Sequence, residues 1–155
     1  MDALDVLRRD HRRIDHVLRS LMATGEKDTR KRKKLKKELV EEVAMHQNLE
    51  EQVLYPTAEK EAKDLKPAVI KAQETHAILK GLMQDLDGMQ PQEEPFGAKV
   101  EILADLVRAH FQEEDDSVLV PLSKALTEDQ LKELGTRIEE GRAAMKNPKD
   151  YLKLD

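Results

Sequence analysis

Leu39-Val40-Glu41-Glu42-Val43-Ala44-Met45-His46-Gln47-Asn48-Leu49-Glu50-Glu51-Gln52-Val53-Leu54 sets the fold. Leu39, Val43, His46, Glu50, Val53 and Leu54 recur at three- and four-residue steps, the spacing of one face of an α-helix. The face is apolar apart from one imidazole and one carboxylate. Together with Leu35 upstream, the stripe predicts a helix from about Asp28 to Lys63. Pro56 falls inside this run. Lacking a backbone N–H, it should kink or interrupt the helix.

Three more stripes of the same kind follow from the rest of the chain. Leu4, Leu7, Ile14, Leu18 and Leu21 predict a helix over about Asp2 to Thr24, stopping at Gly25. Val69, Ala72, Leu79, Met83 and Leu86 predict one from Lys66-Pro67 to about Met89. Val100, Leu103, Val107 and Val118 predict one from about Phe96 to Val120, stopping at Pro121. Thr127 with Gln130 three residues on reads as a capping box, so a shorter fifth helix should follow to about Met145. The expected architecture is all-α: an up-down-up-down antiparallel four-helix bundle with a short extra C-terminal helix. Residues 1–145 form that unit in this reading, and 146–155 an irregular tail.

Composition agrees. Charged residues make up 38% of the 155 and aromatic residues 3%, with six Gly and six Pro, which suits long helices with solvated outer faces. The net charge of -5 argues against a general nucleic-acid binder. The basic run Arg30-Lys31-Arg32-Lys33-Lys34 with Lys36 and Lys37 reads as the solvated start of a helix. With no cysteine, disulfides and thiolate ligands are excluded. The start Met1-Asp2-Ala3-Leu4-Asp5 does not look like a secretion signal, and no stretch approaches the ~20 apolar residues of a membrane span. A cytoplasmic protein is expected, with small molecules rather than nucleic acid or membrane as partners.

The chemistry lies in a loose internal echo. His46-Gln47-Asn48-Leu49-Glu50 and His110-Phe111-Gln112-Glu113-Glu114 each place a histidine and a glutamate one turn apart on an inner stripe. His11 continues the stripe of Leu4, Leu7 and Ile14, and His76 sits between Ala72 and Leu79. Each long helix thus turns one imidazole inward, and two add a carboxylate. Counted from the turns near Gly25 and Asp64 at about 1.5 Å per residue, these groups can share one layer of the bundle. A carboxylate buried without a partner costs several kcal/mol, and no Lys or Arg lies on the inner stripes within a turn of Glu50 or Glu114. Four imidazoles and two carboxylates converging there predict a metal site of two ions, held by His11, His46, Glu50, His76, His110 and Glu114. Mixed imidazole and carboxylate ligation suits iron, manganese or zinc. His16, about 140° around the helix from His11, reads as a surface residue. Glu51, Glu113, Asp115 and Asp116 flank the ligand positions but phase outward, as solvated residues or as partners behind the ligands rather than as ligands themselves.

On these pieces the sequence resembles the hemerythrin-like (HHE cation-binding) family. They are Asp10-His11-Arg12-Arg13-Ile14, His46 through Glu50-Glu51 to Leu54-Tyr55-Pro56, Glu74-Thr75-His76 and His110 to Glu114, and the likeness runs from Val6 to Met145. Leu126 to Gly135 is similar to the family's usual extra helix. The resemblance implies two iron ions, oxo- or hydroxo-bridged, in a non-haem di-iron centre with Glu50 and Glu114 bridging. It implies handling or sensing of O₂, NO or peroxide, with a peroxide-degrading enzyme or a structural metal bundle acting through protein partners as alternatives.

Two departures from the family pattern stand out. Oxygen-carrying members have a second histidine where this chain has Ala72, which leaves one metal short of a protein ligand. Some bacterial relatives offer a tyrosine at the eighth residue after the second-helix histidine. That residue is Leu54 here, with Tyr55 one step off the ligand face. Tyr55 is therefore expected to be a packing residue with its hydroxyl at the surface, unless Pro56 distorts the helix enough to turn it inward.

Overall fold

The computed structural model describes residues 1–153, and the last two residues of the expected tail lie outside them. Four long helical rods make up the body. The first is α1 (Ala3–Met22). The second is α2 (Thr29–Leu49), continued through a π-helical turn (Glu50–Leu54) into α3 (Tyr55–Glu61). The third is α4 (Lys66–Asp87). The fourth is α5 (Phe96–Glu114), continued through a second π-helical turn (Asp115–Leu119) into α6 (Val120–Ala125). Helix α1 packs on α2, α2 on α4, α4 on α5 and α5 back on α1, closing the four-helix ring. The expected antiparallel bundle is the fold found.

The extra helix is α7 (Glu128–Ala144), and its start is the expected capping box, with the Thr127 side chain accepting from the Gln130 backbone and the reverse bond also made. It lies along α1. Gly135 allows that approach, because a Cβ there would stand 2.8 Å from the backbone of Met1 and Asp2.

Three local expectations need correction. The fourth rod does not stop at Pro121, since Pro121 is the second residue of α6 and the helix runs on to Ala125. In both interrupted rods a proline stands two residues after a π-helical turn. The wider turn takes up the residue whose carbonyl the proline ring would otherwise strike and to which proline has no N–H to donate. The tail is also not irregular where it is described. Pro148–Lys153 form a 3₁₀ helix that buries Tyr151 and Leu152 against the bundle, so an apolar pair supplies the docking energy that a polar tail lacks.

The third correction concerns the basic run. Arg30, Lys31, Lys33, Lys34 and Lys37 are exposed, as a solvated helix start requires. Arg32 is buried, donating to Thr24 Oγ1 (3.0 Å) and the Pro91 carbonyl (3.1 Å), with its guanidinium 5.0 Å from the Phe96 ring centre. Lys36 donates to the Asp87 and Met89 carbonyls at 2.9 and 2.8 Å. These two cations tie α2 to both loops at one end of the bundle.

Apolar packing falls into two clusters, one at each end. Leu7, Leu49, Leu54, Ala58, Val69, Leu119, Leu122 and Ile138 fill one, and Ile14, Leu18, Leu39, Val43, Leu79, Met83, Phe96, Leu103 and Val107 fill the other. Between them lies a polar layer.

Candidate metal centre

That layer consists of the six residues expected from the sequence. His46, Glu50, His76, His110 and Glu114 are buried, and His11 is nearly so, with 11% of its side chain exposed. All six meet around one centre. Their ligand-type atoms form two groups, each within 4.8 Å: His11, His46, Glu50 and Glu114, and Glu50, His76, His110 and Glu114. Both carboxylates belong to both groups. The Nε2 atoms of His11 and His46 are 3.2 Å apart, and those of His76 and His110 are 3.0 Å apart. Glu50 Oε1 lies 3.2 Å from both His46 Nε2 and His76 Nε2. Glu114 stands 3.4 Å from His11 and 3.5 Å from His110.

The carboxylate–imidazole contacts are close without being hydrogen bonds of good geometry. Among the described residues, neither oxygen of Glu50 nor Oε1 of Glu114 has a hydrogen-bond partner. Orphaned buried carboxylate oxygens are costly, and native proteins place them where something satisfies them. The imidazoles tell the same story. His46 Nδ1 is 3.2 Å from Asp10 Oδ2, and His76 Nδ1 is 3.0 Å from Glu51 Oε2. An imidazole that donates from Nδ1 to a carboxylate presents a lone pair at Nε2. Lone pairs from imidazole and carboxylate facing one another across 3–4 Å fit a cation, and the donor set of nitrogen and oxygen without sulfur fits iron, manganese or zinc. The residues present could hold a metal in each group.

The electrostatics of the metal-free chain point the same way. Burial opposes protonation of His46, but Glu50 and Asp10 beside it prevail and raise its pKa to about 10. Burial likewise opposes protonation of His76, and Glu50 and Glu51 raise it to about 9. Burial also works against ionised Glu50, but the His46 charge, with Glu114 and His76 close by, holds its pKa well below the usual range. His110 goes the other way: burial, with the neighbouring imidazoles, lowers it to about 4 despite Glu114. Without metal, protons on His46 and His76 stand where cations would.

A pH prediction follows. His46 and His76 are raised far above the ~6.5 of an unfolded-chain histidine. Their stabilisation of the metal-free protein is therefore fully present below about pH 6.5 and lost as pH rises through 9 and 10. Metal must displace the same protons, so apparent metal affinity should rise over that window. Calorimetry of metal-free protein should show Tm falling from pH 6.5 to 10 with helical circular dichroism retained at the lower end. The metal-loaded protein should melt higher and with a flatter profile. A metal-free Tm that climbs across the window contradicts the assignment.

Tyr55 is where the structure departs most from the sequence reading. Its side chain is fully buried, and its hydroxyl donates to Glu114 Oε2 at 2.7 Å and lies 3.1 Å from His76 Nε2. It faces the centre, not the surface. The π-helical turn between Glu50 and Leu54 accommodates one extra residue, so Tyr55 takes up the phase that Leu54 would have in an unbroken α-helix. Burial and the two site carboxylates hold its pKa well above that of a free phenol. Asp10, one residue before His11 on α1, stands behind His46. Glu51, expected to be solvated or to stand behind a ligand, stands behind His76. His16 is exposed, as expected.

Comparison with known proteins agrees with this geometry. The hemerythrin HHE cation binding domain family matches residues 2–122, and the chain belongs to that family. A hemerythrin HHE cation binding domain-containing protein from Mycobacterium kansasii has the same fold, with a TM-score of 0.78 at 22% identity over 93% of this chain and 89% of that one. A DNA nickase from Nostoc sp. is 22% identical over 148 residues, 92% of this chain but 40% of the nickase, so the chain spans about two fifths of that relative. Among the described residues, no helix is long and apolar enough to cross a membrane.

Proposed function

We propose that the chain holds two iron ions, one at His11 and His46 and the other at His76 and His110, with Glu50 and Glu114 shared, and that it uses them to handle small oxidants. The observation that supports this most is the sharing: two ligand groups joined by two buried carboxylates with orphaned oxygens. Such an iron pair supplies redox chemistry and Lewis acidity toward O₂, NO or peroxide.

Among these, peroxide fits best. A cavity of about 230 Å³ opens beside Ala72 and is lined by Pro67, Lys71, Thr75 and Ser117, with His110 and Glu114 at its inner end. Ala72 has only a methyl group, too small to fill it, and the opening reaches the second ligand group from outside. Lys71 and Glu113 pair at 2.5 Å at its rim. Leu79, Met83, Leu103 and Val107 are buried on the other side of the layer and exclude bulk water there. In the chain without metal Tyr55 donates its phenolic proton to Glu114 at 2.7 Å, and it would give up that proton if its oxygen bound oxidised iron.

Metal analysis of protein made in iron-replete medium, with optical spectra before and after O₂, NO and peroxide, tests the proposal. Two irons per chain and a spectrum that responds to peroxide are expected. One iron or none overturns the di-iron reading. Two irons with no response to any of the three oxidants leaves a structural metal bundle.

Tyr55 yields a separate prediction. Its oxygen lies within the ligand cluster, so the oxidised iron-loaded protein should show a visible phenolate band. Tyr55→Phe should abolish that band with iron content unchanged. A band that survives in Tyr55→Phe assigns it elsewhere.

A further inference from the structure

The two carboxylates that stand behind the metal-facing imidazoles are both held from the part of the chain beyond the family match. Arg142 of α7 donates through Nη2 to Asp10 Oδ2, the oxygen that lies 3.2 Å from His46 Nδ1. The Tyr151 hydroxyl, from the C-terminal 3₁₀ helix, donates to Glu51 Oε2, the oxygen 3.0 Å from His76 Nδ1. The family match ends at residue 122.

Both arms are anchored. Arg142 also donates from Nε to Glu139 Oε1 at 3.3 Å and points Nη1 at Met45 Sδ at 3.2 Å. Tyr151 is 5% exposed, with the Lys80 ammonium 4.8 Å from its ring centre. Lys149 pairs with Asp87 at 2.9 Å, and Gln84 donates to the Leu152 carbonyl. A polar tail without a task would not need a buried tyrosine aimed at a half-buried carboxylate.

A carboxylate behind Nδ1 fixes both the tautomer of a ligating imidazole and its direction, and loss of such a partner typically costs a metal site dearly. Asp10 and Glu51 do this only if their own side chains are fixed, and Arg142 and Tyr151 fix them. Each arm serves one ligand group: Arg142 acts through Asp10 on His46, and Tyr151 through Glu51 on His76. The arms also differ. Arg142 brings a positive charge to Asp10, whereas the Tyr151 phenol brings none to Glu51, on which Lys80 acts instead.

We propose that Arg142 and Tyr151 are positioning residues for the metal centre, so that residues 128–153 act as a two-armed clasp and the centre retains each metal only while the corresponding arm is docked. The proposal rests on the di-iron reading above. It makes the two metal positions unequal and gives the C-terminal segment control over their release.

The test uses full-length wild type, Tyr151→Phe, Arg142→Met, the double variant and Arg142→Lys, each loaded with ferrous iron without air. The rate of iron transfer to a ferrous chelator is measured, then the midpoint potential of the loaded centre. Each single variant should release one of its two irons roughly tenfold faster, in keeping with the usual effect of losing such a partner. The double variant should release both faster, and Arg142→Lys should recover most of the wild-type rate. The potential should move in both single variants, which mere loss of packing would not cause. Release rates and potentials equal to the wild type's overturn the clasp, even if metal-free Tm falls. A wild type that takes up no iron overturns the di-iron reading itself, and the clasp with it. Should Arg142→Met fail to fold, Tyr151→Phe, which removes a single oxygen, decides the matter on its own arm.

Discussion

Glu50→Ala and Glu114→Ala should each strip both irons, whereas His110→Ala should lose only one of them readily. Glu50 and Glu114 are shared between the two ligand groups, and the four histidines are not. Loss of an outer partner behind a ligating imidazole already weakens metal binding by about 10–100-fold. Removing a shared ligand should cost more than that, at both positions at once. The fold itself should persist. The apolar clusters on either side of the layer do not depend on either carboxylate, and they contain most of the buried leucines and valines. Iron per chain, measured on protein purified from iron-replete medium alongside a far-ultraviolet spectrum, separates loss of metal from loss of fold. His16→Ala serves as the control, since His16 is exposed and five residues from His11. If Glu50→Ala retains one firmly held iron, Glu50 serves one position and the symmetric reading fails.

The positions of the six groups were legible because helical periodicity is a strong signal when a stripe is long. Each of the six interrupts an otherwise apolar face, and a polar residue repeated on four such faces asks for a common partner. The same reasoning failed one step further along. Tyr55 was phased on an unbroken α-helix, and the turn from Glu50 to Leu54 is π-helical. A signal was present: His46 and His110 are each followed by a glutamate and then, six or seven residues on, by Pro56 or Pro121. A proline repeated at nearly the same place in two functional helices marks a shared interruption, and a shared interruption shifts the phase of whatever lies beside it.

Arg142 and Tyr151 were not legible for a different reason. Each meets its partner from more than a hundred residues away or from just that distance, Arg142 with Asp10 and Tyr151 with Glu51. Periodicity reports which face of its own helix a residue occupies. It cannot report which loop or terminal segment will cover that face. Arg32 and Lys36 show the same limit on a smaller scale. In sequence they belong to one basic run, and only the docking of the Asp87–Pro95 connection separates these two from their solvated neighbours.

Ala72→His should slow peroxide consumption by roughly tenfold or more, which corresponds to about 1.4 kcal/mol in the barrier. Ala72 lies one turn before His76 on α4, is buried, and lines the cavity that reaches His110 and Glu114. An imidazole at that position faces the same layer as His76 and occupies part of the roughly 230 Å³ now open. It would compete for the position that a small molecule needs, first by filling space and then by offering a further nitrogen. Iron content should stay at the wild-type level or rise, because the substitution adds a ligand without removing one. That combination, intact metal with impaired turnover, distinguishes blocked access from a damaged centre. Ala72→Val makes the steric part of the argument alone: it fills the cavity mouth without a ligating atom, and should slow consumption less than Ala72→His does. If Ala72→His consumes peroxide as fast as the wild type with its iron in place, oxidants do not reach the centre past Ala72. The remaining route would then be the groove beside His11, where Phe111 stacks on the imidazole at 3.9 Å between ring centres.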